Sequence, residues 1–295
     1  MARFSVVLEG DKTLETYVAL AKAADQAGFY SIQFYEHLPY RPAWALAFTL
    51  AQHVEKARLG PVTVPANLYD PVVNARFLAY LESVSPGAVL GISRGAYFEK
   101  ASIKQVVDKV KQTFAELKRL TWASSFSPVV YVGTSGPLLT RAVSAIPELR
   151  GIVVDNLANP RYAAEMRRLM DDSGGREKEL IARPFTFIST NPVEVDEFFE
   201  TLKRYVADLV DGSPMLRAAG LNPEDLAEDD EDVRARILES FAVCGSADEV
   251  LEKTAALLRS GVSHICFGHP IASNPVEGVK KLAEVVAVLS EQFDR

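Results

Sequence analysis

The chain has 295 residues, 48% of them apolar and 24% charged, with a net charge of −7 and a pI near 5.3. That apolar share supports a sizeable core, and the length suits either two average domains or one large α/β barrel. The acidic balance argues against nucleic-acid and anionic-membrane partners, because phosphate recognition needs clustered Lys and Arg.

Two isolated cysteines, Cys244 and Cys266, form neither a metal motif nor a disulfide framework and fit a cytoplasmic setting. The start "MARFSVVLEG" lacks a basic region followed by a long apolar core, so no secretory signal is expected. No apolar stretch approaches the roughly 20 residues that cross a bilayer.

In chain order, short runs rich in Val, Ile and Phe predict strands at 4–9, 31–36, 58–64, 88–93, 129–134, 151–156, 183–189 and 264–269. They are nearly continuous apolar runs, as in parallel strands covered on both faces. The segments between them carry helical spacing. Leu14, Tyr17, Val18 and Ala21 form one stripe, and "GFYS" (28–31) ends that helix. Ser246 precedes "ADEVLEKTAALLRSG", a helix with a hydroxyl N-cap, acids in its first turn and Gly261 after its end. Val276, Val279, Leu282, Val286 and Leu289 give the closing helix one apolar face.

Eight strand–helix units predict a (β/α)₈ TIM barrel in a single domain spanning 1–295. A doubly wound open sheet is the alternative, but "VLEGDKTLE" (7–15) has no G-x-G-x-x-G. The spacing is broken between strands seven and eight by extra helical pieces, "DGSPM" (211–215) and "GLNPED" (220–225). This predicts an insertion at about 190–240, at the barrel mouth. The run "EDLAEDDEDV" (224–233) within this region reads as a solvated helix start or loop.

In such a barrel the loops after the strands form the active face. "GTSGPLLTRA" (133–142) is a strand running through a Gly/Ser/Thr turn into a helix. Gly133, Thr134, Ser135 and Gly136 there either bind an anion at the helix start or simply cap it, with Ser135 as the cap. Arg94 in "GISRGAY" (91–97) either reaches over the mouth toward a phosphate or flavin carbonyl, or pairs with a nearby acid. Glu36 and His37 end strand two. A carboxylate beside an imidazole suits acid–base work, yet neighbours on a strand point to opposite faces, so a direct dyad requires a turn at His37. His53 reads as structural, His264 starts strand eight and His269 ends it; no histidine pair has metal-ligand spacing. Tyr40, Tyr69 and Tyr97 fall in mouth loops, where aromatics suit a flat conjugated ligand.

Taken together, "AKAADQAGFYSIQFYEH" (21–37), "KARLGPVTVPANLYDP" (56–71), "AVLGISRG" (88–95), "VVYVGTSGP" (129–137) and "ESFAVCGSADEVLEKTAALLRSGVSHICFGHPI" (239–271) resemble the bacterial-luciferase-like superfamily of flavin and deazaflavin barrels. Within it the match is to the methylenetetrahydromethanopterin reductase group, which uses the deazaflavin coenzyme F420. The resemblance implies an active-site role for Glu36 and His37, with Tyr40 and Arg41 beside the substrate. It places Val62 and Thr63 at a bulge with a non-prolyl cis peptide behind the cofactor ring. It puts Gly133, Thr134, Ser135 and Gly136 on the cofactor phosphate, and Arg94 with Gly95 beside it.

Two departures stand out. The reductases carry an acid after the Gly of the strand-four turn, where this chain has Ala96, with Glu99 nearby. Glu36 also stands where those reductases commonly have Asp. "GISRGAY" is more like the luciferase turn, in which an Arg contacts a flavin phosphate. The implied function is hydride transfer between reduced deazaflavin and a small, pterin-type substrate. An FMN-dependent monooxygenase and a non-catalytic flavin-binding protein are the alternatives. Family members are often dimers, so a homodimer or higher homo-oligomer is expected.

Overall fold

The structure is a computed structural model that describes residues 2–8, 12–95, 98–209, 213–227 and 230–293. Glu9, Ala96, Tyr97 and parts of "DGSPM" and of the acidic run lie outside the described residues. The strands are β1 (Arg3–Val7), β2 (Ser31–Phe34), β3 (Arg58–Pro61), β4 (Val64–Pro65), β5 (Val89–Ser93), β6 (Val129–Gly133), β7 (Gly151–Asp155), β8 (Glu179–Arg183), β9 (Phe185–Ile188), β10 (Ala242–Gly245), β11 (His264–Phe267) and β12 (Pro270–Ile271). The helices are α1 (Leu14–Gln26), α2 (Ala43–Leu50), α3 (Pro71–Val84), α4 (Ile103–Arg119), α5 (Pro137–Ser144), α6 (Pro160–Asp172), α7 (Pro192–Ala207), α8 (Pro214–Ala218), α9 (Glu231–Phe241), α10 (Ala247–Arg259) and α11 (Pro275–Phe293).

One parallel sheet runs β3-β2-β1-β11-β8-β7-β6-β5-β4. Its two end strands are halves of one stave, separated only by Val62 and Thr63, so the sheet closes on itself. Counting β3 and β4 together gives eight staves, and the chain folds as an α/β barrel of the TIM type. The inward side chains Val7, Val62, Val89, Val129, Tyr131, Val153, Ile181 and Cys266 pack as a separate interior cluster. A larger layer between staves and helices holds residues such as Leu20, Leu78, Leu90 and Leu282. On α1 the buried face is Tyr17, Leu20, Ala21 and Ala24, whereas Leu14 remains 41% exposed at the helix start. Ser246 and Glu249 form a reciprocal capping box on α10, satisfying two otherwise orphaned amides.

The seventh stave lies earlier than the sequence indicates. Glu179–Arg183 pairs with β7 and β11, whereas Phe185–Ile188 joins a separate three-stranded sheet with β10 and β12. Pro184 sits at the break and has no amide to continue the ladder. Its carbonyl instead accepts from the Gly268 amide at 3.0 Å. The interrupting segment, β9 to β10 with α7, α8 and α9, follows the C-terminal end of β8 and so belongs to the mouth side.

At the opposite end, the barrel floor is a buried polar network. Glu179 accepts from Arg150 Nε (2.5 Å), from the Tyr131 hydroxyl (3.1 Å) and from Arg3. His264 places Nδ1 3.3 Å from Glu179 Oε2 and Nε2 2.7 Å from Ser5 Oγ, which also meets Ser31 Oγ at 2.7 Å. Burial, reinforced by the Arg3 and Arg150 cations, pushes the His264 pKa down to about 3. The neutral imidazole fits its two neighbours, donating to the carboxylate and accepting from the serine.

Candidate active site at the barrel mouth

The third stave bulges where the Val62–Thr63 peptide is cis. The bulge is tied down from several sides. Val62 donates its amide to the Phe34 carbonyl (2.5 Å), Glu36 donates to the Thr63 carbonyl (3.0 Å), and Thr63 Oγ1 donates to Ser93 Oγ (2.9 Å). Room for it comes from two glycines, Gly91 on the adjacent stave β5 and Gly133 on β6, the stave beyond it. A Cβ at Gly91 would lie 2.8 Å from Val62 Cγ1, and one at Gly133 would lie 2.6 Å from Thr63 Cγ2.

Arg183, at the end of β8, reaches the same bulge. It is 7% exposed, and its Nη1 donates to the Val62 carbonyl while its Nε donates to Asp155 Oδ1 at the end of β7. The guanidinium also lies 5.9 Å from the Tyr35 ring centroid. Burial alone would lower the Arg183 pKa, but the Asp155 carboxylate overrides this and holds it above its ordinary value. In the ring of staves, β8 stands opposite the third, so Arg183 crosses over the interior core and floors the mouth.

The side chains of Glu36 and His37 part company in the loop beyond β2, which ends at Phe34 rather than at Glu36. Glu36 is buried and accepts from the Ala43 amide (3.1 Å) and the Tyr69 hydroxyl (2.8 Å). Ala43 is the first residue of α2, so the carboxylate sits at a helix N-terminus, where the dipole favours it. Burial raises the Glu36 pKa, opposed by those two hydrogen bonds, and the Tyr69 pKa rises through its own burial and the adjacent carboxylate. His37 packs edge-on against Tyr40 with ring centroids 4.6 Å apart. Tyr40 continues to Tyr35 (5.7 Å), and Tyr35 to His269 (6.4 Å). His269 meets Phe185 (5.6 Å) and Tyr205 of α7 (5.8 Å), so an aromatic wall links the strand-two loop to the inserted segment. Arg41 is exposed and turns to the Lys12 carbonyl (3.2 Å).

The anion-type turn lies one stave from Arg94, since Ser93 and Gly133 are register partners. Gly136, rather than Ser135, is the N-cap of α5, and no side chain caps that helix. Thr134 Oγ1 accepts from the Gly136 amide (3.1 Å), and the Ser135 carbonyl accepts from the Tyr162 hydroxyl (2.5 Å). A Cβ on Gly136 would meet nothing within 4 Å, so the cradle above the helix start is open. Arg94 donates Nε to the Ala101 carbonyl (2.7 Å) and makes no ion pair among the described residues. Gly95 adopts φ +84° against Pro65, a conformation suited to glycine.

The sequence therefore brings Glu36, His37, Tyr40, Val62, Thr63, Arg94, Gly95 and the 133–136 turn to one end of the barrel, and sends Arg41 outward. It gave no role to Arg183 or Asp155. A charged residue ending an apolar run immediately before a proline, "ELIARP", was the available signal. An uncapped helix start, an adjacent guanidinium, a glycine-flanked bulge and an aromatic wall suit a flat conjugated cofactor bearing a phosphate.

Residues 2–121 match the luciferase-like monooxygenase family model. Over 96% of its length the chain is 23% identical to the 5,10-methylenetetrahydromethanopterin reductase of Methanopyrus kandleri, covering 97% of that protein. The solved structure of the coenzyme F420 dependent tetrahydromethanopterin reductase from Methanopyrus kandleri superposes with a TM-score of 0.82 at 19% identity, covering 98% of this chain and 99% of that one. An F420-dependent secondary alcohol dehydrogenase, solved with an F420–acetone adduct, superposes with a TM-score of 0.75 at 15% identity over 98% and 99% of the two chains. Residues 2–121 thus resemble the luciferase-like monooxygenase family, and nearly the whole chain shares the barrel fold of these two solved structures.

Proposed function

We propose that the chain is a deazaflavin-dependent oxidoreductase that moves a hydride between reduced coenzyme F420 and a small, pterin-type substrate resembling methylenetetrahydromethanopterin. The observation that carries this reading is the glycine-flanked bulge at Val62–Thr63, facing a mouth with an open anion cradle, in a chain similar to such a reductase over 96% of its length. When bound, the deazaflavin supplies the hydride chemistry; the protein supplies binding, orientation and exclusion of water. Thr134, Ser135 and Gly136 at the start of α5, with Arg94 and Gly95 beside them, hold the phosphate. Val62 and Thr63, backed by Gly91 and Gly133, support the ring from behind. His37, steadied by Tyr40, presents its imidazole to the reacting end. Glu36 acts at one remove, fixing the start of α2 and the Tyr69 hydroxyl. The aromatic wall to Tyr205 draws the inserted segment over the substrate.

His37→Ala is expected to lower turnover of reduced deazaflavin with a tetrahydropterin substrate by roughly 100-fold or more, the range typical of a lost proton-transfer or polarising group. The melting temperature should stay within about 3 °C, because the His37 side chain is only half-buried. Equal losses of turnover and folding would make the residue structural. An FMN-dependent monooxygenase is the second reading. Arg94 favours it, because a guanidinium free of ion pairs among the described residues suits a terminal phosphate. That reading requires oxygen consumption in the presence of reduced FMN.

A further inference from the structure

Glu36 and Asp155 are both carboxylates at stave ends, and they are engaged differently. Glu36 is buried and its Oε1 takes two donors. Asp155 keeps a side chain 44% exposed, with Oδ1 committed to Arg183 and Oδ2 without a partner among the described residues. Arg183 cannot swing away, since it is buried and anchored to the Val62 carbonyl on the opposite stave. The pair is also locked in register, Asp155 standing directly against Arg183 between β7 and β8. A rigid floor thus carries one open carboxylate oxygen over the barrel interior. A carboxylate oxygen of this kind accepts only, so its complement is an N–H or O–H donor. Charge neutralisation by Arg183 removes the case for an anionic ligand at this point.

We propose that Asp155 is a specificity residue that reads an exocyclic amino N–H of the substrate, so that the mouth takes a ring carrying an amidine-type amino group, such as the 2-amino edge of a reduced pterin, in preference to an analogue lacking that group. The inference rests on the deazaflavin oxidoreductase reading above. Pre-organisation by Arg183 means that little side-chain ordering opposes binding. A hydrogen bond to a charged group at such a position discriminates by about 10- to 100-fold.

The test is calorimetric titration of the deazaflavin-loaded protein with 6-methyltetrahydropterin and with its 2-desamino analogue. The wild-type protein should bind the first about 10- to 100-fold more tightly. Asp155→Asn keeps an acceptor for Arg183 and turns an amide NH₂ to the mouth. It should therefore abolish or invert the preference between the two pterins, an outcome that a merely structural role, which would weaken both alike, does not produce. Equal affinities in the wild-type protein, or an unchanged preference in the variant, overturn the inference. The wild-type comparison decides the matter even if the variant does not fold. Deazaflavin uptake without pterin discrimination sinks this inference alone; failure to take up deazaflavin removes the functional reading and this inference with it.

Discussion

Gly133→Ala is expected to weaken cofactor binding by roughly 10-fold or more and to destabilise the fold by about 1–3 kcal/mol, the usual range for overpacking a buried site. The added Cβ would stand 2.6 Å from Thr63 Cγ2 and 3.3 Å from Ser93 Cβ. Neither neighbour can retreat easily. Thr63 is 8% exposed and bonded to Ser93, and its carbonyl holds the Glu36 amide. The clash is therefore transmitted to the Val62–Thr63 bulge, which is proposed to back the cofactor ring. The double variant Thr63→Ser with Gly133→Ala removes the offending methyl and should recover most of both losses, giving a favourable coupling between the two sites. Melting curves and cofactor titrations on the four proteins of this cycle measure it. A wild-type-like Gly133→Ala protein, or a double variant with no recovery, would show that the bulge does not depend on this close approach.

The barrel floor gives the second large effect, on acid stability. His264 is fully buried with a pKa of about 3, against an ordinary value of 6.5 in the unfolded chain. Between those values the unfolded state binds a proton that the folded state refuses. Stability is therefore fully present above about pH 6.5 and falls as pH drops, by up to about 1.4 kcal/mol per pH unit. From pH 6.5 to 5 the loss attributable to this residue approaches about 2 kcal/mol. Urea melts across that range on the wild-type protein and on His264→Gln isolate the effect. The wild-type profile should be steeper by about the stated slope, whereas parallel profiles would contradict a neutral buried imidazole. The variant also tests whether an amide can replace the imidazole between Ser5 and Glu179 without reorganising the floor.

Most of the barrel was legible because its staves are nearly continuous runs of Val, Ile and Leu, and parallel strands buried on both faces need that composition. The seventh stave was not. "ELIAR" is flanked by charges that only the fold buries, Glu179 in the floor network and Arg183 under the mouth. The more apolar "FTFI" after Pro184 carried the stronger strand signal. That one displacement hid Arg183, because a residue at a strand start is assigned to the wrong end of a barrel. At the mouth, local alternation predicted that Glu36 and His37 diverge, and they do, although β2 ends at Phe34 and leaves the pair in the loop beyond it. It could not show that Glu36 would meet Tyr69, 33 positions away, or cap α2, since those partners are set by tertiary packing. The openness of the 133–136 turn likewise depends on which residue becomes the N-cap, and the structure gives that place to Gly136.

The central claim is that this mouth holds a deazaflavin, and equilibrium titration of the purified protein with coenzyme F420 and with FMN tests it most directly. Saturable binding of coenzyme F420, with FMN weaker by at least about 10-fold (about 1.4 kcal/mol), is the predicted result. Tight FMN binding with no affinity for coenzyme F420, or affinity for neither, would contradict it.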